Sequence, residues 1–168
     1  MRRHTWRPLA LLAVVLLAGC SGSDKQSTQE AVQRAYLRYW DVALSAQASP
    51  DATPDLSDVA AGRQLKADED LVQQRLHAGE HVTGKYGHRP TVTALHAHTA
   101  TVHDCLTAHV TVVGPHGQEP LPAGPYTVRA TLVNSKGTWR VQEIVEDTRS
   151  CPAAESAVPS ATPTGANR

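Results

Sequence analysis

The chain has 168 residues, a length that suits one domain, and its 16 basic side chains balance 16 acidic ones. Such a balance gives no support for nucleic-acid binding, which needs a basic patch. Nor does the chain contain a Gly-x-Ser-x-Gly elbow, a Walker loop, a His-Glu-x-x-His pair or a dinucleotide fingerprint, which argues against hydrolase, nucleotidase, zinc-peptidase and oxidoreductase roles.

Arg2, Arg3 and Arg7 make a positive start, and Leu9 to Ala18 is an unbroken apolar run. The run has about ten residues, whereas a membrane-crossing helix needs roughly 20. A basic start before a short apolar stretch has the form of a secretory signal. It ends in Leu17-Ala18-Gly19-Cys20, which resembles the lipobox of bacterial lipoproteins. The resemblance implies a signal peptide over 1–19, cleavage before Cys20, and acylation of the Cys20 thiol and then of its amino group. Two or three acyl chains hold a protein stably at a membrane surface, where one alone binds marginally. The expected location is therefore the outer face of the cell membrane, with the lipid as anchor. Loss of three Arg and no acid leaves the mature chain at a net charge of about −3. The chain has no Phe and one Met, and Arg outnumbers Lys. Those are habits of a high-GC genome, so an actinobacterial source is expected.

Two cysteines remain, Cys105 and Cys151. An even pair in an oxidising, extracytoplasmic compartment most often forms a disulfide. Free thiols or a redox site are the alternatives, and no Cys-x-x-Cys spacing supports the latter.

Along the chain, 20–27 reads as a lipidated polar tether. Ser27 and Glu30 make a capping-box pattern. Val32, Ala35, Tyr36, Tyr39, Trp40 and Ala43 then recur at helical spacing, ending before Pro50. Thr53-Pro54 is expected to open a second helix, with Leu56, Val59 and Ala60 inward and Gly62 as a break. A third helix is expected from Gln64 to His77, with Leu65, Val72 and Leu76 inward and Gly79 as its stop.

Beyond Gly79 the period changes to two. Strands are expected at His81–Tyr86, Thr91–His96, Ala100–Val113, Tyr126–Asn134 and Thr138–Val145. Gly114–Pro125 reads as a loop and Ser135-Lys136-Gly137 as a hairpin turn. Residues 152–168 are mostly Pro, Ala, Ser and Thr, which cannot bury enough surface to fold, so a disordered tail is expected, with mucin-like glycosylation as the alternative.

Helices followed by long antiparallel strands resemble the nuclear transport factor 2-like, cone-shaped α+β fold. The matching features are Ala35-Tyr36-Leu37-Arg38-Tyr39-Trp40, Asp104-Cys105, Gly137-Thr138-Trp139-Arg140-Val141 and Cys151, over about 27–151. The resemblance implies a domain over 28–151 in which a curved sheet wraps against the first helix around a cavity. It does not imply a reaction, since one fold hosts many roles.

Within that frame Asp104 shares a strand face with Val102 and Leu106. A desolvated carboxylate there suits a general base, while the bland alternative is a hydrogen-bonded structural acid. Tyr36, Tyr39 and Trp40 are candidates to line a pocket, or simply core. His96 and His98 fall on one side of a strand, a spacing that can bind metal. Zinc wants three or four ligands, however, and no third is fixed, so surface histidines are expected there. His103 and His109 are assigned to the polar strand face, and His77, His81, His88 and His116 to loops or surface. No cofactor is expected. The leading expectation is a non-enzymatic envelope module that binds a protein partner or a small apolar ligand. An isomerase- or cyclase-type enzyme using Asp104 and a histidine metal module are the rivals.

Overall fold

The computed structural model describes residues 21–49, 55–147 and 151, with side chains from Lys25 onward. The signal segment, Cys20, Thr53-Pro54 and the 152–168 tail lie outside the described residues.

Helix α1 spans Ser21–Ala48 and buries Val32, Tyr36, Tyr39, Ala43 and Ala46, the face that the helical period marks out. It starts ahead of the expected capping box, so Ser27 is an interior helical residue and the stretch expected to be a tether continues the helix. No proline interrupts that stretch, and its Lys and Gln are good helix formers. The expected second helix is a single 3-10 turn, Leu56–Asp58, capped by Asp55, whose side chain accepts from the Ser57 backbone N–H. Leu56, Val59 and Ala60 are nonetheless buried as the pattern requires. Gly62 is the first residue of helix α2, Gly62–Ala78, rather than a break. Helix α2 closes on Gly79, whose φ of 65° is the left-handed conformation that glycine adopts without a Cβ penalty.

Six strands form one antiparallel sheet: β1 His81–Gly87, β2 Pro90–Leu95, β3 Thr99–Gly114, β4 Gly117–Pro120, β5 Tyr126–Ser135 and β6 Thr138–Glu146. Strand β3 is the spine. On one edge it pairs β2 and then β1; on the other it pairs β5 and, further along, β4. The β1 register, ending at Gly87↔Thr107, continues without a slip into Pro90↔Asp104 of β2. The two are therefore one strand interrupted at His88-Arg89. Strand β4 corrects the expectation of a loop over Gly114–Pro125. All four of its residues are exposed. A strand held only by backbone hydrogen bonds leaves no apolar alternation to read.

Burial along β3 alternates as expected: Ala100, Val102, Asp104, Leu106, Ala108 and Val110 face inward. Ala100 and Val102 of β3, with Ala130, Leu132, Trp139 and Val141, join Val32, Tyr36, Tyr39, Ala43 and Ala46 of α1 and Val72 of α2 in one core cluster. A short parallel bridge, Ala60↔Val141, ties the 3-10 turn to β6. The protein is thus α+β, with two helices packed on a curved six-stranded antiparallel sheet, consistent with a nuclear transport factor 2-like cone.

Candidate functional site

Asp104 is 1% exposed and sits where α1 crosses the interrupted strand. Its Oδ2 accepts from the Tyr36 hydroxyl at 3.0 Å and lies 2.6 Å from His88 Nδ1. Its Oδ1 accepts from the Arg89 backbone N–H at 2.7 Å. The strand break explains this arrangement. Where β1 hands over to β2, Arg89 makes no ladder pairing, and a side chain from the spine takes its N–H instead. Gln33 of α1 adds a bond to the Pro90 carbonyl at 3.3 Å. Asp104 therefore staples helix, strand break and spine together.

A second carboxylate repeats the motif one helical turn along α1. Tyr39 donates to Oδ1 of Asp68, on α2, at 3.1 Å. Gln64 Nε2 donates to both Tyr39 Oη and Asp68 Oδ1, while Gln64 Oε1 accepts from the Ile144 N–H. Burial pushes the Tyr36 and Tyr39 phenols far above the usual tyrosine range, and the negative charges of Asp104 and Asp68 add to it. Burial also raises the Asp68 carboxyl, against the hydrogen bonds from Gln64 and Tyr39.

The rings of Trp40, Tyr86 and His88 meet at the edge of this core. Trp40 lies 5.0 Å from Tyr86 and 5.4 Å from His88, centroid to centroid, and 6.3 Å edge-on from Tyr36. Trp40 and Tyr86 are partly exposed, and His88 sits beneath them with its side chain largely covered. Burial raises the Tyr86 phenol, and the nearby Arg75 charge opposes it.

The structure places each described residue singled out from the sequence, and it moves one of them, His88, off the surface. Tyr36 and Tyr39 are interior side chains with their hydroxyls committed to carboxylates, and only Trp40 of the three reaches the edge. Asp104 does face the core, but its oxygens are engaged by three protein groups. His88 is not a surface histidine: its side chain is 12% exposed and held by Asp104. His96 and His98 are exposed at the turn between β2 and β3, and among the described residues no group of three or more metal-ligating side chains comes together. Cys105 and Cys151 are disulfide-bonded, with Cα atoms 5.5 Å apart. Sequence reasoning missed Asp68, Tyr86 and Asp147. Asp68 carried one legible signal, a place four residues before Val72 on the apolar side of α2.

No known protein family matches the chain, and no curated protein matches it. Solved structures do. The intermembrane-space region of the chloroplast protein ARC6 is 18% identical, with a TM-score of 0.56 over 70% of this chain and 95% of that one. A variant of Rv3472, a protein of unknown function from Mycobacterium tuberculosis, is 14% identical, with a TM-score of 0.47 over 77% of this chain and 78% of that one. A candidate aromatic ring hydroxylase from Novosphingobium aromaticivorans is 12% identical, with a TM-score of 0.47 over 73% of this chain and 94% of that one. At 18% identity the likeness to the ARC6 region is one of fold alone.

Proposed function

We propose that this protein is a lipid-anchored, extracytoplasmic binding module without a catalytic role of its own. The anchor rests on Leu17-Ala18-Gly19-Cys20 following a basic start and a short apolar run. The Cys105–Cys151 disulfide supports an oxidising compartment. The non-enzymatic reading rests on one observation, the engagement of Asp104. A general base needs a free lone pair within reach of substrate. Asp104 is 1% exposed and already accepts from Tyr36 and Arg89 and contacts His88. Its charge is spent on holding α1 to the sheet. The surface that suits a partner or a small apolar ligand is the half-buried edge formed by Trp40, Tyr86 and His88, since aromatic rings are enriched at binding surfaces.

The anchor is tested by expressing the wild-type chain and Cys20→Ala in a bacterial host and separating each by detergent phase partition. Wild type is expected in the detergent phase with incorporated labelled palmitate, and the variant in the aqueous phase without label. Equal partition and equal labelling of the two would overturn the lipoprotein reading.

A further inference from the structure

The outer face of the sheet, turned away from the helices, carries a second constellation. A cavity of about 440 Å³ opens there, lined by Thr93, Thr101, His103, Arg129, Thr131 and Glu143 among others. Strand register fixes their order. His103 stands directly opposite Arg129, and Thr101 opposite Thr131, which in turn faces Glu143 on β6. Directly opposed residues on antiparallel strands have Cβ atoms roughly 4.5–5.5 Å apart, so imidazole and guanidinium rise side by side from the cavity floor.

Behind the imidazole lies Asp147, with Oδ2 2.6 Å from His103 Nδ1. The two side chains are 9% and 14% exposed, Asp147 being the more buried. Asp147 is fixed twice over. Its backbone N–H donates to the Thr127 carbonyl at 2.8 Å, and four residues later Cys151 is bonded to Cys105, which shares the strand face of His103. With the carboxylate oxygen set against Nδ1, the tautomer protonated at Nδ1 is favoured in the neutral ring, and that tautomer leaves Nε2 as a lone-pair acceptor. Glu143 is engaged by Arg63 at 2.6 Å, whereas Arg129 makes no ion pair among the described residues. The cavity thus offers one uncommitted guanidinium, one oriented imidazole acceptor beside it, and threonine hydroxyls around them.

We propose that this cavity binds a small hydroxy-carboxylate. Arg129 holds the carboxylate through its planar donor fork. His103 Nε2 accepts from the neighbouring hydroxyl of the ligand, and Asp147 is the positioning residue that sets the tautomer. This cavity is independent of the lipid anchor. It also differs from the apolar edge around Trp40, because the chemistry displayed on this face is polar.

The test is calorimetric titration of lactate and of propionate into the full chain purified in detergent, with Arg129→Ala and His103→Phe alongside. Lactate is expected to bind at least tenfold more tightly than propionate, because a site built around a hydroxyl rejects the analogue that lacks it. Arg129→Ala is expected to abolish binding of both. His103→Phe is expected to reduce lactate to the level of propionate. Arg129 is exposed, so its truncation leaves the fold in place even where His103→Phe does not. Resonances of the His103 ring, followed by NMR in the unmutated chain, should shift with lactate. Equal affinity for the two acids, binding that survives Arg129→Ala, no detectable binding, or a His103 ring that does not respond would each overturn the proposal.

Discussion

Truncating Asp104 should reveal how much of the fold hangs on one carboxylate. In Asp104→Ala the Tyr36 hydroxyl, on a residue that is 0% exposed, loses its acceptor, as does the Arg89 N–H, and His88 loses its partner. An unsatisfied buried group costs about 1–3 kcal/mol, and breaking a buried charged network about 3–5 kcal/mol. A loss of roughly 3–5 kcal/mol is therefore expected, a large share of the ~5–15 kcal/mol that stabilises an ordinary domain. Tyr36→Phe in the wild-type background removes one hydrogen bond to a carboxylate, worth about 1.5–3 kcal/mol. In the Asp104→Ala background the same change removes a hydroxyl that is already stranded, so it should be neutral or stabilising. Urea denaturation followed by circular dichroism, run on all four members of the cycle, measures this coupling. If Tyr36→Phe costs the same in both backgrounds, the hydroxyl and the carboxylate are not partners and Asp104 is not the staple described above.

Three further outcomes follow from the geometry. The Cys105–Cys151 bond spans 46 positions, so Cys105→Ser/Cys151→Ser should lose about 3–4 kcal/mol in the chain-entropy account, and oxidised wild type unfolded in denaturant should show neither thiol to Ellman's reagent. The folded-state pKa of Asp68 is raised by burial, so its contribution is fully present below the unfolded value and is lost as pH rises through the folded one. Asp68→Asn should accordingly flatten stability against pH on the acid-to-neutral limb, and an equally steep profile in the variant would show that burial of Asp68 is not the cause. His96→Ala/His98→Ala should leave zinc affinity unchanged and weak by calorimetry, since both imidazoles are exposed at a turn; tight one-to-one binding lost in the variant would make them a metal site.

The aromatic period of α1, the glycine stop at Gly79, the alternation along β3 and the turn at 135–137 all come from local rules, and all could be read from residues alone. Each is a case in which one element must present an apolar face at its own period, so the pattern is written within a single stretch of chain. The failures have a common origin as well. Strand β4 has no buried side chain, so hydrophobicity leaves no trace of it. The 3-10 turn and the early start of α1 fall where polar residues permit several backbone states.

What sequence could not supply was pairing across distance. The parity of β3 put Asp104 on the inner face, yet its partners Tyr36 and His88 lie 68 and 16 positions away. Likewise the strand period puts His103 on the polar face, but Asp147 reaches it only because the chain just past β6 stays bonded to Thr127 of β5 and the disulfide holds the chain end there. Chain-local periodicity decides which way a side chain points. Which other side chain it meets depends on sheet register and helix packing, and those are set by the burial of the whole core at once.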